Sequence, residues 1–338
     1  MTLTTLALLG LAFSLDLLIG EPPNAFHPVA WFGRLVGAVD RPWRPNERGQ
    51  RRIGVVIALA LPLVAAVVAA GSVLLATRVS GLAGAVVAGV VLFLTISLRS
   101  LLELTESVLD ATEGDIETAR EQIRGLVGRD TSTLSPAELR SAAVESAAEN
   151  LADGLVSSLL PFALLAPLSL PLAAGAAAWV KGVNTLDSML GYPEKPIGTA
   201  SARLDDLVMW VPARITAAAI AVAAADPLAL RRAREWARVP ASPNSGWPMA
   251  TLACVLSVRL TKPAAYDLNP DAALPTLADG EQAVTIIGLA AVVSVLVAAV
   301  IATGTTAVVA GFELEGTETV SELVSTITAL TVEAGVRS

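Results

Sequence analysis

The chain has 338 residues, 54% of them hydrophobic and only 16% charged, with a mean hydropathy of +0.65, a composition that points to a helical protein crossing a membrane several times. A formal net charge of -8 and a pI near 4.8 argue against a nucleic-acid partner, which selects basic surfaces. Cys254 is the only cysteine and His27 the only histidine, so an intrachain disulfide is excluded and a His-cluster metal site or a Ser-His-Asp triad has almost nothing to draw on.

The expected architecture is all-α: one polytopic, membrane-embedded unit with broken or re-entrant helices and a cytoplasmic amphipathic segment. Residues 3–19 form the first apolar helix. No Lys or Arg precedes it and no small-residue cleavage site follows, so a cleaved signal peptide is not expected. Glu21-Pro22-Pro23 stops the helix. Asp16, late in it, reads either as an interfacial side chain or as part of a site. His27 reads as a hydrogen-bonded loop residue. Arg34, Arg41, Arg44, Arg48, Arg51 and Arg52 make the next loop basic, which assigns it to the cytoplasm. Residues 53–77 and 82–98 are long enough to cross the ~30 Å hydrocarbon core.

Residues 99–153 change character. Glu, Asp and Arg alternate with apolar residues at helical spacing, which predicts soluble amphipathic helices. Ser135-Pro136-Ala137-Glu138 has the form of a helix start. Within this segment Glu145, Glu149 and Asp153 fall one turn apart on one face, with Asn150 beside them. They read either as oxygen ligands for Mg²⁺ carrying a nucleotide or as a solvated acidic face.

Residues 155–180 are apolar but interrupted by Pro161, Pro167 and Pro171, so a broken pair of half-helices is expected. Lys181, Asn184 and Asp187 follow at spacings that share a helical face. Lys181 either contacts phosphate or snorkels at the end of its apolar segment. Arg203, Asp205 and Asp206 come next. The bland alternative for Arg203 and Asp206 is a helical ion pair. Arg214 sits inside the apolar run 207–225, where an unpaired charge is costly. Residues 228–239 are basic, SPNSGWP holds Asn244 in a turn, 249–260 form a short apolar helix, and TKPAAYDLNPDAALP is expected to be loop. Residues 283–303 give the last span, and the acidic tail 313–338 is expected to be peripheral. No Walker or dinucleotide-binding glycine pattern occurs.

Five stretches carry a resemblance: DLLIGEPPNAFHPVAWFGRLV, GRDTSTL with ESAAENLADG, KGVNTLDSMLGY, ASARLDDLVMWVPAR and SPNSGWPMATLACVLSVRL. In that order they resemble the integral-membrane adenosylcobinamide-phosphate synthase family of cobalamin biosynthesis, over most of the chain up to about residue 282. The resemblance implies joining aminopropanol, or its O-phosphate, to the carboxylate of adenosylcobyric acid at the expense of ATP. It implies a multi-pass protein of the cell membrane with its active site facing the cytoplasm, in contact with lipid and with other corrin-pathway membrane enzymes. ATP and Mg²⁺ are the implied cofactors. Glu145, Glu149, Asp153 and Asp187 would hold the metal. Asn150, Asn184, Arg129, Asn244 and Arg214 would bind nucleotide or substrate. Lys181 and Arg203 would contact phosphate, and Asp205 or Asp206 would take a proton from the amine or orient it.

The chain departs from the family pattern in three places. Pro240-Ala241 replace His-Pro, Met249 stands where a Glu is usual, and Met209 where Asn is common. Two other readings remain open on the residues alone: a corrinoid or small-solute permease, for which broken helices and intramembrane charges would serve, and a scaffold for other enzymes.

Overall fold

In the computed structural model, residues 2–127 and 131–336 are described, side chains excepted for 312–336. Fourteen α-helices are found among them: α1 (Thr2–Ile19), α2 (Pro28–Val39), α3 (Glu47–Val79), α4 (Gly81–Thr95), α5 (Leu98–Ala111), α6 (Ile116–Gln122), α7 (Pro136–Leu151), α8 (Ser157–Leu165), α9 (Leu170–Leu190), α10 (Thr199–Val208), α11 (Trp210–Ala223), α12 (Ala229–Ala233), α13 (Gly246–Leu256) and α14 (Leu277–Val336). Four stretches, Thr2–Ile19, Glu47–Val79, Gly81–Ala111 and Leu277–Gly311, are long and apolar enough to cross a membrane. The pair α10–α11, bent by 49° at Met209, makes a fifth if counted as one broken span. The protein is therefore an all-α, multi-pass membrane protein. On α3, Val56, Leu59, Leu63, Val67, Val68 and Leu75 are exposed, the face a lipid-contacting helix presents.

The first helix ends where Gly20 takes φ +74° and donates to the Asp16 carbonyl at 2.9 Å, a left-handed stop that favours glycine. Asp16 itself is fully buried, not interfacial. Its Oδ2 accepts from the Arg99 backbone N–H at 2.9 Å. Ser97, the N-cap of α5, makes no side-chain cap bond, so Asp16 caps α5 from 83 residues away and fastens it to α1. The basic loop is shorter than its composition suggested. Asn46 caps α3, and Arg48, Arg51 and Arg52 already lie in its first turns.

Part of the segment 99–153 differs from expectation: α5 is amphipathic as expected, with Leu101, Val108 and Leu109 buried and Glu103, Glu106 and Asp110 exposed, but α7 is not. Gly81–Ala111 continues a spanning stretch, and α7 is enclosed along most of its length, with Leu139, Ala142, Ala143, Val144, Ala147 and Leu151 all buried. The small residues Ser141, Ala142, Ala143, Ser146, Ala147 and Ala148 let neighbouring helices approach, so α7 is a core helix and not an amphipathic surface helix. Its start is as expected: Ser135 and Glu138 form a reciprocal capping box, with Pro136 in the first turn. At its end the chain widens into a π-helical turn, Ala152–Val156. The Ser97 N–H bonds the Gly154 carbonyl at 2.9 Å, and a Cβ on Gly154 would fall 2.8 Å from Ser97 Oγ.

The apolar stretch 155–180 is broken, as its prolines require. The first half-helix ends at Leu165 and the second begins at Leu170, with Pro171 in its first turn. The expected loop after α13 contains a short antiparallel hairpin, β1 (Leu260–Lys262) and β2 (Tyr266–Leu268), with Thr261 opposite Asp267. The spread 313–338 lies outside the residues whose side chains are described.

Candidate functional site

The turn at Asp153, the last turns of α9 and the middle of α10 converge on one polar cavity of about 670 Å³. Its lining includes Glu149, Asn150, Asp153, Asn184, Asp187, Asp205, Asp206 and Asn244. Eight of the thirteen residues singled out from the sequence thus meet in one place, from four separate segments. The hairpin of α8 and α9 brings its two flanks, Asp153 and Asp187, to the same cavity.

Asn184 is buried at 8% exposure and hydrogen-bonds both Asp153 and Asp205. Asp206 accepts from Ser242 Oγ at 3.0 Å. Asp187 Oδ1 and Asp205 Oδ1 are buried with no hydrogen-bond partner among the described residues. None of Asp153, Asp187, Asp205 and Asp206 is in an ion pair among the described residues. Four carboxylates held this close destabilise one another unless a cation or protons arrive. Asp153 and Asp187 flank the apolar half-helices, outside the spanning stretches, and record this. Burial, against the Asn184 hydrogen bond and the charge of Lys181, raises Asp153 from 3.8 to about 6. Burial first, then the charges of Asp153 and Asp206, raises Asp187 to about 6.

Among the described residues, no three His, Cys, Asp or Glu side chains are placed to hold a metal ion by themselves. Mg²⁺ rarely asks for such a cage: it binds through one or two carboxylates plus substrate phosphates and water. The partnerless oxygens of Asp187 and Asp205 fit that mode, a cation delivered on a nucleotide. Arg124, from a 3₁₀ turn at Ile123–Gly125, and Lys262, from β1, also line the cavity. They are two cationic side chains in an otherwise acidic and neutral lining. Neither was found from sequence, because nothing local to either residue announces the cavity.

The remaining expected residues lie elsewhere. Glu145 does not reach the cavity: it is 5% exposed and its Oε1 accepts from the Tyr266 hydroxyl at 2.7 Å. Arg203 is exposed on α10, outside the lining, and makes no ion pair with Asp206 among the described residues. Arg214 stands behind the site. Its Nη1 donates to Asn244 Oδ1 at 2.6 Å and to the Trp210 carbonyl at 2.8 Å, and its guanidinium lies 4.5 Å from the Trp210 ring and 5.3 Å from the Trp247 ring. Arg129 lies outside the described residues. Met209 lines the cavity, whereas Met249 is 1% exposed in the main core, so that position serves packing in this chain.

Lys181 does not line the polar cavity. It lies in the wall of a second, apolar cavity of about 580 Å³ between α2, α3, α4 and α9, where it is the only charged lining residue. Its electrostatic partners are Glu21, Asp153 and Asp16.

A family model described as CobD/Cbib protein matches residues 9–296. The "Probable cobalamin biosynthesis protein CobD" of Methanothrix thermoacetophila is 35% identical over 306 residues, 86% of this chain and 95% of that protein. The cobalamin biosynthesis protein CobD of Rhodobacter capsulatus is 37% identical over 276 residues, 77% of this chain and 83% of the relative. That of Klebsiella pneumoniae subsp. pneumoniae is 36% identical over 267 residues, 75% of this chain and 82% of the relative. No solved structure matches. A match across most of the chain, to relatives covered over most of their own length, leaves one assignment: the chain belongs to the CobD/Cbib protein family.

Proposed function

We propose that this chain is a membrane enzyme of cobalamin biosynthesis that joins aminopropanol, or its O-phosphate, to the carboxylate of adenosylcobyric acid with consumption of ATP. The pathway comes from the relatives, which are named cobalamin biosynthesis proteins. The finer chemistry rests on one observation, a cavity lined both by Asp187 and Asp205, each with a buried partnerless oxygen, and by Arg124 and Lys262. A cavity lined by both carboxylates and cations suits a magnesium-bound polyphosphate, whose oxygens need positive charge around them.

Asp187 and Asp205 would hold Mg²⁺, with Glu149 and Asp153 beside them. Bound there, the ion would neutralise phosphate charge. Arg124 and Lys262 orient phosphate oxygens. Asn184 keeps the Asp153 and Asp205 carboxylates in fixed positions, which restricts where a cation can sit. Asp206, fixed by Ser242, is placed to accept a proton from an attacking amine. Arg214 acts through Asn244 and touches no cavity space. We place the cavity on the cytoplasmic side, the side on which the basic start of α3 belongs.

The test uses purified protein in detergent with Mg²⁺–ATP, adenosylcobyric acid and each amine in turn, read by mass spectrometry. An amide product that requires ATP supports the reading, and the preferred amine names the substrate. Absence of product with both amines, in folded protein that binds corrinoid, would overturn it in favour of a permease or scaffold.

A further inference from the structure

The apolar cavity of about 580 Å³ between α2, α3, α4 and α9 takes no part in the polar site, yet α9 serves both. Lys181, Gly182 and Thr185 line the apolar cavity, whereas Asn184, Asp187 and Ser188, on the same turns, line the polar one. The α3 and α4 walls belong to stretches long and apolar enough to cross a membrane. Val64, Val68 and Val90 line the cavity and are exposed, so it is continuous with the face that lipid covers. Its hydroxyl protons are already committed: Ser72, Thr95 and Thr185 donate to the Ala69, Leu92 and Lys181 carbonyls of their own helices at 2.7, 2.7 and 2.8 Å. Water gains little in such a space.

The α2 side has a second character. This apolar helix has 12 residues, too few to span the hydrocarbon core. Trp31 and Leu35 line the cavity and are exposed, as is Trp43 just beyond the helix. The basic run from Arg41 to Arg52 follows. Exposed tryptophans beside arginines mark the level of lipid headgroups. Arg34 stands one turn after Trp31 and next to Leu35. It is exposed and in no ion pair among the described residues.

We propose that this cavity binds one acyl chain of an anionic phospholipid whose phosphate rests on Arg34. The occupant follows from continuity and from charge. A cavity open to hydrocarbon, with apolar walls and no free hydroxyl donor, takes a hydrocarbon chain, which gains dispersion contacts that an open groove lacks. A phosphate at headgroup level matches an arginine that has no other partner. Lys181, the one charge in the lining, does not draw the phosphate inward, because Glu21, Asp153 and Asp16 are already its electrostatic partners. The bound chain packs against the turns of α9 that carry Asn184 and Asp187 on their other side, and so braces the wall between the two cavities. The site stands whatever the polar cavity binds.

The test is lipid titration of the full chain, washed free of lipid in detergent and read by native mass spectrometry. The probes are phosphatidylglycerol and a diacylglycerol with the same two chains, which differ in the phosphate-bearing headgroup. Wild type should bind phosphatidylglycerol saturably, one lipid per chain, and the diacylglycerol roughly fivefold more weakly. Arg34→Gln should bring phosphatidylglycerol down to the diacylglycerol level and leave diacylglycerol binding unchanged. Ala178→Phe, which fills the cavity from α9, should abolish saturable binding of both; Ala65→Phe fills it from α3 and replaces that variant if it fails to fold. Saturable binding that survives the filled cavity would overturn the proposal. So would a preference for phosphatidylglycerol that Arg34→Gln leaves intact, or a wild type that shows no saturable binding or no such preference.

Discussion

Asn244 holds Arg214 through a 2.6 Å bond from Nη1 to its Oδ1, and its amide nitrogen donates to the Asp206 carbonyl at the same distance. Arg214 and Asp206 thus share α10–α11 as a bent unit without pairing directly; a residue from the SPNSGWP turn joins them. The two bonds also settle which end of the amide is oxygen. Asn244 is 3% exposed, so Asn244→Leu, close in shape, removes the donor to the Asp206 carbonyl and leaves Arg214 only its bonds to the Trp210 and Pro243 carbonyls. The expected cost is about 1–3 kcal/mol of stability, read as a lower unfolding midpoint, with turnover reduced because Asp206 and the bend at Met209 lose their brace. An unchanged midpoint would mean that water replaces Asn244 freely.

Removing one carboxylate from the acidic floor should have opposite effects on stability and function. Asp187→Asn relieves repulsion from Asp153 and Asp206 and should raise the unfolding midpoint of the nucleotide-free protein. Mg²⁺–ATP stabilises whichever state binds it, so it should raise the wild-type midpoint and leave that of Asp187→Asn nearly unmoved. Turnover should fall by at least about tenfold, the scale on which metal-site partners act. A variant that is both less stable and fully active would remove Asp187 from the metal assignment.

What could be read from the chain beforehand was local. The capping box at Ser135, the proline breaks and the one-turn spacing of Glu149 and Asp153 depend on neighbours a few residues away, and the structure keeps them. What escaped was set by distant partners. Tyr266, 121 residues on, takes Glu145 away from the other acids. Asp16 caps a helix 83 residues later, and its composition as a lone acid in an apolar run could not reveal that. Arg124 and Lys262 line the cavity from a 3₁₀ turn and from a hairpin within a stretch whose Pro, Asn and Asp residues predict loop. Conversely, Arg203 looked chemical because it adjoins Asp205 and Asp206, but helical rotation puts it outside the cavity.

The carboxylates also set a pH dependence. Asp153 and Asp187 titrate near 6 in the folded protein against an ordinary value of 3.8. Between those limits the folded state holds more protons than the unfolded one, so stability falls as pH rises from about 4 to about 6 and then levels off. Nucleotide-free protein should therefore unfold at a higher temperature at pH 5 than at pH 7. Protons compete with the cation for the same oxygens, so the affinity for Mg²⁺–ATP should move the other way and weaken as pH drops through 6. Midpoints measured across this range with and without Mg²⁺–ATP should converge at low pH. A nucleotide-free midpoint that falls on acidification would show that these acids are not the dominant titrating groups.

Two glycines at the C-terminal side of α9 should tell site geometry from folding. A Cβ on Gly191 would fall 1.8 Å from Asp187 Oδ1 and 2.8 Å from the Asp187 carbonyl. The first obstacle is the end of a side chain with no partner holding it there, so Gly191→Ala can be accommodated by swinging the carboxylate and easing the helix end. At Gly198 the obstacle is backbone: a Cβ would lie 1.6 Å from the Leu190 carbonyl oxygen and 3.0 Å from the Gly191 nitrogen. No rotamer change relieves that, and the start of α10 would have to move away from the end of α9. Gly191→Ala should therefore give folded protein that has lost the Mg²⁺–ATP-dependent rise in midpoint, while Gly198→Ala should lower the nucleotide-free midpoint itself or prevent folding. Size-exclusion profiles and unfolding curves in detergent, with and without Mg²⁺–ATP, distinguish the two. If Gly191→Ala retains the full nucleotide effect, then the Asp187 carboxylate works from a different rotamer, and Asp205 becomes the first residue to test as the metal's principal ligand.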